Sequence, residues 1–147
     1  MEGTKPAGWV SAGLYVSSKS VDAETIQKKL DLVPTRVRVK GEPLLDGFNP
    51  DHSFIFEITR QFSSDGDDVS ALVLQNCMEE LLSAIEPRRE SLDTLRTDTK
   101  MNLMCSYGST SSLEWLFVDE TMLKRIADLK VSLTVCVCQV GQGAPAV

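Results

Sequence analysis

The segment from Leu32 to Pro43, Leu-Val-Pro-Thr-Arg-Val-Arg-Val-Lys-Gly-Glu-Pro, restricts the folds open to this 147-residue chain more than any other. Pro34 disfavours helix at Val33, so a preceding helix must stop there. Val37 and Val39 then alternate with Arg36, Arg38 and Lys40, the period of a strand buried on one side. Gly41 and Pro43 end the alternation. Upstream, Asp22 reads as an N-cap, with Val21 and Ile26 placed as a hydrophobic staple. Ile26 and Leu30 face the core of the short helix this predicts, while Gln27, Lys28 and Lys29 face water.

The same two periods recur along the chain. Residues 9–18 read as a strand, with Gly13 a candidate bulge. The stretch 41–51 is rich in Gly, Pro, Asn and Asp and reads as irregular. Phe54, Phe56 and Ile58 restart a strand. Asp65, Asp67 and Asp68 precede a long helix in which Val69, Leu72, Val73, Cys77, Leu81 and Ile85 recur at helical spacing. Pro87 ends it, and residues 88–96 allow a short helix through Leu92 and Leu95. Met101, Leu103, Cys105 and Tyr107 alternate. Leu113, Trp115 and Phe117 read as the returning strand of a hairpin across the turn 108–112. A helix over 119–129 and a strand over 131–140 follow. Val21-Asp22 and Val118-Asp119 open their helices alike, a weak internal echo.

The order is β-α-β-β-α-β-β-α-β. It predicts an α+β domain: one mostly antiparallel sheet of about six strands with three helices on one face, ferredoxin-like or a duplicated β-α-β unit. The chain reads as a single domain over 1–147, with tails at 1–8 and 141–147. The uncovered sheet face is left to solvent, a partner subunit or a ligand.

Composition narrows the function. A formal net charge of -6 repels phosphate backbones, which argues against nucleic acid. No apolar run reaches the ~20 residues that span a bilayer, and Met1 to Ala7 offers no secretory core, so the expectation is a cytoplasmic protein that engages no membrane. Cys77, Cys105, Cys136 and Cys138 each sit in an apolar run and read as small buried hydrophobes in a reducing compartment. Cys136 and Cys138, with Cys105 from a neighbouring strand, would be the one thiolate set for zinc. The chain has no C-x-x-C pair and a single histidine, His52, so core packing is the expected role. The adjacent Asp51-His52-Ser53 is not a triad, whose members converge from separate elements. The acidic runs Asp65–Asp68 and Glu79-Glu80 lack a calcium-loop ladder. No phosphate-binding glycine loop follows a strand, and no cofactor is expected.

The basic row remains. Arg36, Arg38 and Lys40 would stand about 6.6–6.8 Å apart on one strand face. With Glu42 they are the candidate binding residues. A charged row of this kind also guards an edge strand against aggregation. The expected function is a non-enzymatic module that binds another protein or a second copy of itself. A small-anion or nucleotide sensor using the same row is the alternative, and a thiol enzyme pairing Cys105 or Cys138 with His52 is a third.

Ile26 to Leu30, Leu32-Val33-Pro34-Thr35 and Lys40-Gly41-Glu42 together resemble the helix-to-strand signature of the domain of unknown function 4279 family. Leu81 to Pro87 and Leu123 to Leu129 are similar to that family's long helix and its final helix. The resemblance spans roughly residues 10–140 and implies an architecture without assigning a chemistry.

Overall fold

A computed structural model describes residues 8–62, 67–109 and 118–139. β1 (Gly8–Ser18) leads into α1 (Ala23–Leu30), then β2 (Arg36–Arg38), two short strands β3 (Pro43–Leu44) and β4 (Gly47–Phe48), and β5 (His52–Phe62). α2 (Asp67–Ile85) continues through a 3₁₀ turn at Glu86–Arg88 into α3 (Arg89–Leu95). β6 (Lys100–Ser109), α4 (Glu120–Asp128) and β7 (Ser132–Gln139) complete the described elements. The helix starts follow the sequence signals. Asp22 accepts from the Thr25 N–H at 2.9 Å, and Asp119 accepts from the Met122 N–H at 2.7 Å, each satisfying an orphan donor. Arg88 donates to the Leu30 and Asp31 carbonyls, closing the C-terminal end of α1 against α2.

The main sheet has the order β2-β5-β1-β6-β7. β1 lies antiparallel between β5 and β6, β2 is antiparallel to β5, and β7 runs parallel to β6. The first four of these strands, with α1 and α2, form the split β-α-β arrangement of ferredoxin-like domains. α4 and β7 extend it by a further β-α-β step, and parallel neighbours require such a crossover. The fold is therefore α+β as expected, with five strands in the main sheet and β3-β4 as a separate ribbon. The ribbon falls in the stretch read as irregular, because two-residue strands carry no detectable period. β2 is shorter than the alternation over 35–40 suggested, since Lys40 already belongs to the turn. The expected returning strand at Leu113–Phe117 and the tail 141–147 lie outside the described residues.

Register assigns the faces. Ala12, Leu14 and Val16 stand opposite Ile58, Phe56 and Phe54 on one side, and opposite Cys105, Leu103 and Met101 on the other. These residues share one face and join a single core with Ile26 and Leu30 of α1, Leu74 to Ile85 of α2, Leu92 and Leu95 of α3, and Met122 and Ile126 of α4. All the described helices thus cover that face. Pairing runs unbroken through Gly13, which makes no bulge. A Cβ at Gly13 would lie 2.9 Å from Glu57 Cγ, so the glycine makes room for the Glu57 side chain to cross the other face.

Candidate functional site

The sequence signature around Pro34 builds a hairpin arm. Pro34 has no N–H to give the ladder, and Thr35 compensates. Its N–H donates to the Ile55 carbonyl at 2.7 Å, while its hydroxyl accepts from the Glu57 N–H at 2.8 Å and donates to the Glu57 carbonyl at 3.2 Å. β2 then pairs Arg36, Val37 and Arg38 with Ile55, Phe54 and Ser53. Past β2 the Lys40 N–H donates to His52 Nδ1 at 3.2 Å. Gly41 takes φ +91°, a left-handed conformation suited to glycine, and the Glu42 N–H closes the turn on the Val39 carbonyl. Gly41 and Glu42 each make a 2.8 Å main-chain bond with Asn49, and β3 and β4 carry the hairpin to its tip at Leu45-Asp46. Every residue from Thr35 to Phe48 is exposed. The Pro-Thr and Lys-Gly-acid steps are thus the joints of this hairpin.

The four candidate residues fare differently. Arg36 is committed internally: its Nε and Nη2 donate to Glu57 Oε1 at 3.0 and 2.5 Å, and Nη2 also donates to the Tyr15 hydroxyl at 3.1 Å. Glu57, whose side chain is 14% exposed, also accepts from Tyr15 and Ser11 at 3.2 Å each. Burial and the facing Glu57 carboxylate push the Tyr15 phenol above its ordinary range. The bond to Glu57 raises the Arg36 guanidinium. The expected row of three cations is therefore corrected at its first member. Arg38 shares the open face and is exposed, and its side chain has no hydrogen bond or ion pair among the described residues. Lys40 lies beyond β2 with its ammonium 3.3 Å from the Lys19 carbonyl, and Glu42 gives its main chain to the turn while its side chain stays exposed. The structure thus joins Arg36 and Arg38 on one strand and separates Lys40 and Glu42 from them.

Periodicity did not reveal the apolar character of the arm. Of ten exposed large hydrophobic side chains among the described residues, Val33, Val37, Val39, Leu44, Leu45 and Phe48 lie between positions 33 and 48. Val37 and Val39 floor a groove of about 380 Å³ between β2 and α1, walled by Asp22, Glu24, Gln27 and His52. The signal was in the sequence: Leu44, Leu45 and Phe48 are apolar residues in a turn-rich stretch, where burial is hardest to arrange.

A second pocket, of about 360 Å³, lies where β1 ends and β6 begins, lined by Ser17 to Ser20, Asp51 and Thr97 to Lys100. Two hydroxyl-rich stretches, Ser17-Ser18-Lys19-Ser20 and Thr97-Asp98-Thr99-Lys100, mark it in the sequence. The buried Ser18 hydroxyl is occupied within the turn, donating to the Asp98 carbonyl and accepting from the Ser20 and Val21 N–H groups.

The thiols offer little to chemistry. Cys77 and Cys105 are buried, as expected, and Cys105 packs on Met78 with Sγ 3.0 Å from Sδ. Burial pushes the Cys105 thiol up to about 11 and raises Cys77, which leaves both poor nucleophiles. Cys105 pairs with Ala12 and His52 with Ser18, six positions apart on β1, or about 20 Å at ~3.4 Å per residue. Cys136 departs from the expected burial: it is exposed on β7, the last strand of the sheet among the described residues. It aligns with Ser106, on the face opposite Cys105, so these two do not converge on a metal. The side chain of Cys138 lies outside the described residues. Among the described residues no three His, Cys, Asp or Glu side chains are grouped to hold a metal ion, and no helix is long and apolar enough to cross a membrane.

A family described as "Domain of unknown function (DUF4279)" matches residues 9–139, most of the chain. No curated protein and no solved structure matches it.

Proposed function

Since the chain belongs to that family of unknown function, we propose that it is a non-enzymatic binding module whose docking surface is the arm and the β2 edge from which the arm springs. The observation that carries this reading is the concentration of bare aliphatic and aromatic surface on residues 33–48, beside a cation, Arg38, whose side chain pairs with nothing among the described residues. An interface core wants desolvated apolar anchors with charge at the rim, and Leu45, which is fully exposed, and Phe48, 72% exposed, are placed to be such anchors. The partner is another protein or a second copy. The buried unbridged thiols Cys77 and Cys105 fit a reducing compartment, and the cytoplasm is the location we propose.

The test is a paired substitution at the tip. Leu45→Ser with Phe48→Ser is expected to remove a partner retained by the natural chain, or to dissolve its self-association, while moving the Tm by less than about 2 °C, because neither side chain is in the core. An unchanged partner set and oligomeric state would contradict the proposal.

A further inference from the structure

Among the described residues β2 has a strand neighbour on one side only, so its outer edge presents unpaired main-chain groups. The side chains flanking that edge are sorted by face. Val37 lies on the helix side with Phe54, above the groove of about 380 Å³, while Arg36 and Arg38 lie on the open side with Ile55 and Ser53. A strand added here would meet apolar surface on one face and guanidinium groups on the other.

A second copy is a poor occupant. Antiparallel pairing of two β2 strands about Val37 sets Arg36 opposite the second copy's Arg38. Sliding by two residues either way still sets Arg36 or Arg38 opposite its own copy. Like charges directly opposite are unfavourable, and among the described residues Arg38 has no carboxylate partner to relieve this.

We infer that the outer edge of β2 accepts, as an added strand, an extended segment of another protein in which carboxylates alternate with β-branched aliphatic residues. The carboxylates face Arg38 and the rim of Arg36, and the aliphatics lie over Val37 and Val39 in the groove beside α1. Main-chain bonds hold the segment and the alternation selects it. This rests on the reading of the chain as a binding module and names the chemistry of its partner.

The test uses the full chain, isotope-labelled, titrated with a synthetic acetyl-Glu-Val-Glu-Val-Glu-Val-Glu amide. The expected result is saturable movement of the amide signals of Arg36, Val37 and Arg38. The same composition in blocks, or the alternating peptide N-methylated at every second residue, is expected to bind at least about tenfold more weakly. Arg38→Glu is expected to weaken the acidic peptide by about tenfold and to gain binding to its lysine counterpart. No movement at β2, equal binding of the block or N-methylated peptides, or concentration-dependent movement at β2 without peptide, the sign of self-pairing, would each overturn the inference. If the peptide fails while Leu45→Ser with Phe48→Ser still strips a partner, this inference falls and the binding-module reading stands.

Discussion

Glu57 links three strands through side chains alone. Its carboxylate takes donors from Ser11 and Tyr15 on β1 and from Arg36 on β2, and its stem crosses the space left by Gly13. Glu57→Gln keeps the shape and removes the charge facing Arg36. The expected loss is about 1–2 kcal/mol in urea unfolding, held down by the half-exposed guanidinium. Gly13→Ala forces a methyl group against Glu57 Cγ and is expected to lose about 1–3 kcal/mol. Thr35→Val keeps the β-branched shape but removes the hydroxyl that pairs the Glu57 main chain, for about 1 kcal/mol, whereas Thr35→Ser retains it. None of these contacts was legible in the sequence. Arg36 and Glu57 are 21 residues apart, and only the β2–β5 and β1–β5 registers make them neighbours. An alternating basic row looks the same whether its charges are solvated or paired.

Elements whose burial is one-sided and long were legible. β5 and β6 announce their core faces by alternation, α2 by its apolar stripe, and α1 and α4 by their Asp caps. The ribbon β3-β4 was not, because a two-residue strand is specified by its turn and its Asn49 anchor. The parallel sense of β7 was not either, since a strand's pattern records burial and not the direction of its neighbour. α4 is clamped to α2 and to the 3₁₀ turn that follows it by Arg125, which pairs with both Glu79 and Glu86. The Arg125 bond holds the Glu86 carboxyl below its ordinary range. A carboxylate depressed on folding contributes stability above its unfolded value of 4.5 and loses that contribution as pH falls through the folded value. Arg125→Met is therefore expected to lower stability at pH 7 and to flatten its decline below about pH 5, as measured by urea midpoints across pH. Equal slopes for both proteins would remove the clamp from the account.

At the scale of the whole molecule, one face of the sheet carries every described helix and a single core, so that face resists change. Leu81→Ala, at a fully buried position in the C-terminal half of α2, is expected to cost about 2–5 kcal/mol. The opposite face and the β2 edge carry the polar network around Glu57, the uncommitted Arg38 and the apolar arm. Placing benzoylphenylalanine at position 48 and, separately, at the exposed Glu90 of α3 tests that division of labour most directly. Irradiation is expected to give one discrete adduct from position 48, competed away by excess natural chain, and none from position 90. Adducts of equal yield from both positions, or none from position 48 under conditions where the folded protein holds a partner, would contradict the arm as the docking surface.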